Sequence, residues 1–146
     1  MSCQPSAATV CLRRRTVCLS AVLVFLLVGL GSAEASRADG TWMVDKLVLR
    51  ISDCEQFVCG RIVWMEDAAK RTAQCNRTII WGLAATAQNE WAGGTILDPN
   101  DGKIYRLSAT YEPNGTLHAR IFQGIPLLGK TKILNRVDMR GLNGQC

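Results

Sequence analysis

The sequence predicts an all-β fold, an eight-stranded antiparallel up-and-down barrel, and three observations indicate it. Beyond residue 39 the chain consists of short runs rich in β-branched and aromatic residues, with no long stretch of helical periodicity. Turn sequences separate these runs, most clearly DPNDG at residues 98–102 and EPNG at 112–115. Eight consecutive strands linked by hairpins can close on themselves, which removes the sheet edges and can enclose one small ligand.

The first 35 residues are predicted to be a secretory signal peptide that precedes the barrel. A basic cluster at residues 13–15 is followed by an apolar run over residues 17–30 and then by small residues that end in Ala33-x-Ala35. This run is short for a membrane span, so we expect cleavage after Ala35 and no stable membrane span afterwards. The alternative is an uncleaved anchor, because the charge-free run extends over residues 16–33. We therefore expect a periplasmic or secreted protein whose single domain is residues 36–146.

The charge of the exported domain argues against nucleic acid as a partner. The signal segment holds three arginines and one glutamate, so its removal lowers the formal net charge from +5 to +3. No basic run remains in the other residues, and a chain of this size suits one small domain.

The strands are assigned in order from alternation and composition. The second run alternates Leu47, Leu49 and Ile51, and the third (FVCGRIVWM) is rich in β-branched and aromatic residues. Residues 67–75 interrupt the pattern with charged and small side chains that can form a helical turn. The predicted strands are residues 40–45, 47–52, 57–65, 78–81, 90–97, 103–111, 116–122 and 130–137.

Export also determines how the cysteines are interpreted, because only Cys54, Cys59, Cys75 and Cys146 remain after cleavage, in an oxidising compartment. Zinc would require paired C-x-x-C or Cys/His spacing, and a redox site would require C-x-x-C at a helix start; the sequence has neither pattern. Four cysteines allow three pairings. The four residues between Cys54 and Cys59 can form a hairpin that places the two cysteines within disulfide distance, which leaves Cys75 to pair with Cys146. No metal is expected.

Side-chain alternation predicts a barrel interior with room for a ligand. Bulky aromatic residues share the inward parity with very small residues, of which Gly93 and Ala109 would leave space. The predicted ligand-binding residues are Trp64, Trp91, Tyr105 and Tyr111. The alternative is a solid core, because these aromatic side chains are themselves large.

No catalytic constellation is visible in the sequence. The single histidine, His118, has no nucleophile or acid placed beside it, and the adjacent carboxylates Glu66 and Asp67 would point to opposite faces of a strand. We therefore expect neither an enzyme nor a cofactor. The predicted function is an exported protein that binds a small apolar or amphipathic ligand; the alternative is an envelope structural or protein-interaction module with a solid core, whose partner is an envelope protein.

Several ordered segments together resemble the exported bacterial family DUF2147, a domain of unknown function, from Gly40 to Val137. They are Gly40-Thr41-Trp42, ISDC at residues 51–54 with VCGRIVW at 58–64, and WAGG at 91–94 with DPNDGKIY at 98–105. The resemblance implies a lipocalin-like (calycin-like) barrel. It also implies that Gly40-x-Trp42 is the first-strand signature of such barrels, in which a basic residue of the last strand covers the tryptophan. Arg136 is the candidate for that residue.

Overall fold

The computed structural model describes residues 36–146, and the predicted signal peptide, residues 1–35, lies outside the described residues. Each strand pairs antiparallel with the next, and the last returns to the first to close a barrel. The predicted all-β, eight-stranded up-and-down barrel is therefore confirmed. The strands are β1 (Gly40–Val44), β2 (Leu47–Cys54), β3 (Phe57–Met65), β4 (Thr78–Ala87), β5 (Glu90–Leu97), β6 (Ile104–Tyr111), β7 (Leu117–Phe122) and β8 (Lys130–Arg136).

The helical elements are short and lie in the connections. Helix α1 (Ala68–Gln74) joins β3 to β4, and the carboxylate of Asp67 caps it by accepting hydrogen bonds from the N–H groups of Ala69 and Lys70. Single 3₁₀ turns are formed by Pro126–Leu128 and Met139–Gly141. Within residues 36–146, no helix has the length and apolar character needed to cross a bilayer.

An up-and-down barrel has two ends with different loops. The β1–β2, β3–β4, β5–β6 and β7–β8 connections emerge together at what we call the open end. The three remaining connections and residues 36–39 lie at the opposite end, the closed end. Each inward side chain can therefore be assigned to one half of the barrel by its distance along the strand.

The seam between β1 and β8 is the shortest ladder of the wall. It pairs Trp42 with Arg136 and Met43 with Asn135, whereas β1 and β2 pair along the whole of β1. Beyond this ladder, the hydroxyl of Thr41 donates a hydrogen bond of 2.7 Å to the carbonyl of Val137. Side-chain contacts thus help to join β1 to β8, whereas the other strand pairs are joined mainly by backbone hydrogen bonds.

Bulges in β3 and β5 change which side chains of these strands point inward. In β3, Leu49 pairs with Ile62 but Val48 pairs with Trp64, so β3 contains one additional residue. In β5, the pairing of β5 with β6 also shifts between Trp91 and Gly94, around Gly93 with its φ of +76°. The alternation reverses after each bulge, so the parity expected for the ends of these strands is wrong.

Both predicted disulfides are confirmed. Cys54 and Cys59 join β2 to β3 across their hairpin with Cα atoms 5.8 Å apart, and Cys75 joins Cys146 at 5.3 Å. The second disulfide holds the segment after β8 against the outside of the barrel. There the indole N–H of Trp64 donates to the carbonyl of Asn143 at 2.8 Å, and the N–H of Cys146 donates to the carbonyl of Val63 at 2.9 Å.

Candidate functional site

The closed half of the barrel is packed with apolar side chains. A void of about 20 Å³, roughly the volume of one water molecule, lies within it. The void lies among buried residues that include Ile51, Leu83, Trp91, Leu107 and Ala109. A void of this size is too small for a ligand larger than water.

Trp42 and Arg136 close the end of this packed half. The guanidinium of Arg136 lies over the Trp42 ring, 4.4 Å from its centroid, and donates hydrogen bonds to the carbonyls of Arg37 (2.7 Å) and Asp39 (2.9 Å). The fully buried Trp42 indole donates to the carbonyl of Ala38 at 2.7 Å. A side chain on Gly40 would collide with the Arg136 guanidinium, which explains the glycine at this position. Residues 36–39 are thereby fixed across the closed end.

The open half contains a cavity of about 590 Å³, which we call the mouth cavity. Its walls are apolar and its rim, formed by the open-end loops, is charged. The wall residues are Val44, Leu47, Leu49, Met65, Ile79, Ile96, Tyr105 and Ile121, and the charged rim residues are Asp45, Lys46, Glu66, Asp67, Lys70, Asp98 and Lys132. This is the candidate binding site of the molecule.

Ion pairs organise the rim. Lys132 of β8 lies 2.6 Å from Asp45 of the β1–β2 turn, and Lys46 in the same turn pairs with Glu66 at the end of β3. The hydrogen bond to Glu66 raises the pKa of Lys46. Within the part of the chain that the structure describes, no three His, Cys, Asp or Glu side chains come together as a metal site would require. The rim therefore offers both signs of charge and hydrogen-bonding groups to the polar part of a ligand.

Tyr105 connects the apolar wall to the rim. Its side chain lines the mouth cavity, and its hydroxyl donates a hydrogen bond of 2.9 Å to Asp101. The backbone N–H of Lys103 also donates to Asp101 and is the main cause of the lowered pKa of that carboxyl. The hydrogen bond to Asp101 in turn raises the pKa of Tyr105, which keeps its hydroxyl protonated, as a donor, to higher pH. Because folding lowers the pKa of Asp101, its stabilising contribution is present at neutral pH and is lost as the pH falls through the lowered value.

Comparison with protein-family models assigns the chain to a family. The model of DUF2147, described as an uncharacterized protein conserved in bacteria, matches residues 40–136, which is more than half of the sequence. The chain belongs to the DUF2147 family. Among solved structures, the DUF2147 barrel is similar to protein HP1028 from the human pathogen Helicobacter pylori, which belongs to the lipocalin family. The two share 16% identity with a TM-score of 0.58, and the match covers 68% of this chain and 82% of that chain. A comparison with curated proteins finds no match.

The structure separates the four aromatic residues that the sequence analysis grouped as a ligand site. In this DUF2147 barrel only Tyr105 lines the mouth cavity. Trp91 is buried in the closed half, and Tyr111 packs edge-on against Trp42 with ring centroids 6.3 Å apart. Trp64 lies on the outer face, where the bulge in β3 places it against the segment after β8.

The two small residues expected to leave space do not border the mouth cavity either. Ala109 lines the small void of the closed half. Gly93 forms the bulge of β5, and after it Gly94 takes the inward position, where a Cβ atom would lie 2.5 Å from Cγ of Leu83. The space in this DUF2147 barrel thus lies nearer the open end than the sequence analysis placed it.

Some wall residues were not identified as site residues from the sequence. Met65 and Ile96 face the cavity because each follows a bulge, and alternation alone assigns that position to Trp64 and Thr95. Ile79 lies in a strand start that gave no clear alternation. The predicted topology did contain a usable signal, since alternate hairpin loops must share one end of an up-and-down barrel and form its mouth.

Proposed function

We propose that this DUF2147 chain is an exported protein that binds a small apolar or amphipathic molecule in the mouth cavity and does not convert it chemically. The mouth cavity itself carries the proposal, with its apolar walls, charged rim and volume of about 590 Å³. Ligand pockets typically measure about 300–1,000 Å³. At roughly 30 Å³ for each non-hydrogen atom, the cavity accommodates about twenty such atoms.

The distribution of polar groups defines the kind of ligand. Leu49 and Ile79 are buried at the inner wall, so the apolar body of the ligand enters first and loses its contact with water there. The polar end stays at the rim near Lys132 and Asp45, where charged side chains replace water as partners. The packed closed half limits how deep the molecule can enter.

Export is the second part of the proposal, and it rests on the signal sequence and on the two disulfides, which form in oxidising compartments. The intact mass of the protein recovered from the cell envelope tests it. A mass that corresponds to residues 36–146 is expected. A mass that retains residues 1–35 would instead indicate an anchored protein.

Two neighbouring positions on β7 provide a test of the mouth cavity. Ile121 lines the cavity, while Phe122 is the next residue and has the opposite parity. Ile121→Trp should fill part of the cavity, and Phe122→Trp should add the same side chain outside it. We expect Ile121→Trp to weaken the binding of the amphipathic dye anilinonaphthalene sulfonate and of medium-chain fatty acids at least tenfold, as measured by dye fluorescence and displacement.

The outcome of the Phe122→Trp control decides how the result is interpreted. If both variants lost binding of the dye and fatty acids to the same extent, or if both bound them as the unmodified protein does, a site in the mouth cavity would be contradicted. Thermal unfolding of each variant shows whether the barrel is intact. If no compound binds the unmodified protein, the alternative function gains support, which is an envelope module that acts through its outer surface.

A further inference from the structure

The β7–β8 loop, residues 123–129, carries the two most exposed of the large apolar side chains in the described structure. Leu127 and Leu128 are 82% and 78% exposed, and Ile125 is 55% exposed. Ile104, at the start of the neighbouring strand β6, is also exposed at the open end. Apolar side chains gathered in this way at one end of a soluble domain mark an interaction surface.

The chain segment that contains this loop carries charge of one sign. None of residues 113–137 is acidic, and these residues form β7, the loop and β8. Four of them are basic: Arg120, Lys130, Lys132 and Arg136. Within residues 36–146, Lys130 has no ion-pair partner, and Lys132 pairs only with Asp45. An apolar tip with neighbouring lysines and no carboxylate of its own complements a surface that is anionic outside and apolar beneath.

Part of the loop backbone is hydrogen-bonded within the protein. Arg120 donates from Nε to the carbonyl of Pro126 and from Nη2 to that of Leu127, both at 2.9 Å, and from Nη1 to the hydroxyl of Thr131 at 3.0 Å. The N–H of Gly129 also donates to the Pro126 carbonyl, and Pro126 has no N–H to satisfy. Internal partners for these carbonyls lower the cost of moving this part of the loop towards hydrocarbon, which cannot hydrogen-bond to them.

From these three features we propose that the β7–β8 loop docks the barrel onto a lipid bilayer that carries anionic headgroups. Leu127 and Leu128 insert into the acyl boundary, and Lys130 contacts the headgroups. Arg120 holds the loop in the shape that presents both leucines. The loop joins Ile121 to the strand of Lys132, both of which line the mouth cavity, so the docked barrel would have its mouth close to the membrane. Docking does not depend on cavity occupancy, so the two proposals can fail separately.

The test uses the exported protein, with its mass measured, and sedimentation with sucrose-loaded vesicles. Vesicles of phosphatidylcholine mixed with phosphatidylglycerol are compared with vesicles of phosphatidylcholine alone. The unmodified protein should bind the mixed vesicles more tightly, and salt should weaken that binding. The double variant Leu127→Ser with Leu128→Ser should bind at least about tenfold more weakly, because each leucine loses its apolar burial.

The matched control is Ile133→Ser on β8, which removes an exposed apolar side chain from the barrel wall. It should bind vesicles as the unmodified protein does. Since Leu127 and Leu128 are exposed, their replacement should leave the thermal unfolding temperature unchanged. Arg120→Lys keeps the charge but not the fork of hydrogen bonds, so weaker binding by this variant would support the role of loop shape.

Three results would overturn the proposal. The first is that the unmodified protein does not bind the mixed vesicles. The second is that the double leucine variant binds them as well as the unmodified protein does. The third is a lipid-free self-association that the double variant abolishes while vesicle binding persists, since the loop would then face a second copy of the chain.

Discussion

Replacing Arg136 tests how the closed end is held together. In Arg136→Ala the barrel loses the guanidinium stacked on Trp42 and the two hydrogen bonds to the carbonyls of Arg37 and Asp39. The stack contributes about 0.5–1 kcal/mol at a site open to solvent. Each hydrogen bond contributes about 0.5–1.5 kcal/mol. We therefore expect the free energy of unfolding to fall by about 1.5–4 kcal/mol.

Urea unfolding followed by circular dichroism measures this change, since it does not depend on the fluorescence of the affected tryptophan. Arg136→Lys retains a cation above the ring but not the planar guanidinium. Its free energy of unfolding should therefore lie between those of the unmodified protein and Arg136→Ala. Arg140→Ala is the control, because that side chain is exposed and, within residues 36–146, pairs only with Asp138, two residues away. No measurable change is expected for it.

Equal effects of Arg136→Ala and Arg140→Ala would refute the reasoning, because a stack on the buried Trp42 ring and a solvated ion pair would then contribute equally to stability. An Arg136→Lys variant as stable as the unmodified protein would show that charge alone matters and that the fork to residues 37 and 39 contributes nothing.

Three further predictions concern the packing, the disulfide and the rim. Ala109→Leu should destabilise the protein by about 1–3 kcal/mol in urea titrations because the neighbouring void is too small for the added carbons; unchanged stability would mean that the closed half holds usable space. Replacing Cys75 and Cys146 with Ser should cost about 4 kcal/mol, since their disulfide closes a loop with a sequence separation of 71; a negligible cost would contradict the loop-closure argument. Asp101→Asn should lower the pKa of Tyr105 in an ultraviolet titration, because the carboxylate that accepts its hydroxyl hydrogen bond is removed; no change would mean that this hydrogen bond does not form in solution.

The fold could be predicted from the sequence because its signals are local. Turn residues separate the strands, and the bounds expected for β3 and β5 agree with the structure. The pairing of Cys54 with Cys59 followed from hairpin spacing, and that pairing determined the other disulfide. Where strands are regular, parity was also sufficient: Tyr105, Leu107, Ala109 and Tyr111 share the inner face of β6 as expected.

The binding site could be predicted only in part, because a bulge depends on the pairing of two strands. The run FVCGRIVWM is apolar on both faces at its end, so its letters do not show that the parity reverses before Trp64. In β4 the small residues after Trp81 give no alternation, so the sequence predicted an end at Trp81. The strand in fact continues to Ala87. The position of the cavity follows from these irregularities, and composition cannot reveal them.

The short β1–β8 ladder makes the stiffness of the barrel wall uneven. Few backbone hydrogen bonds cross this seam, and it is held at the closed end by the Trp42–Arg136 stack and at the open end by the Asp45–Lys132 ion pair. Local opening requires least free energy where the fewest hydrogen bonds must break. At the open end, loss of one exposed ion pair would let β1 and β8 separate beside the mouth cavity. The seam that completes the barrel would then open as a gap beside the mouth cavity and widen its entrance for bulky molecules, while the packed closed half keeps its shape.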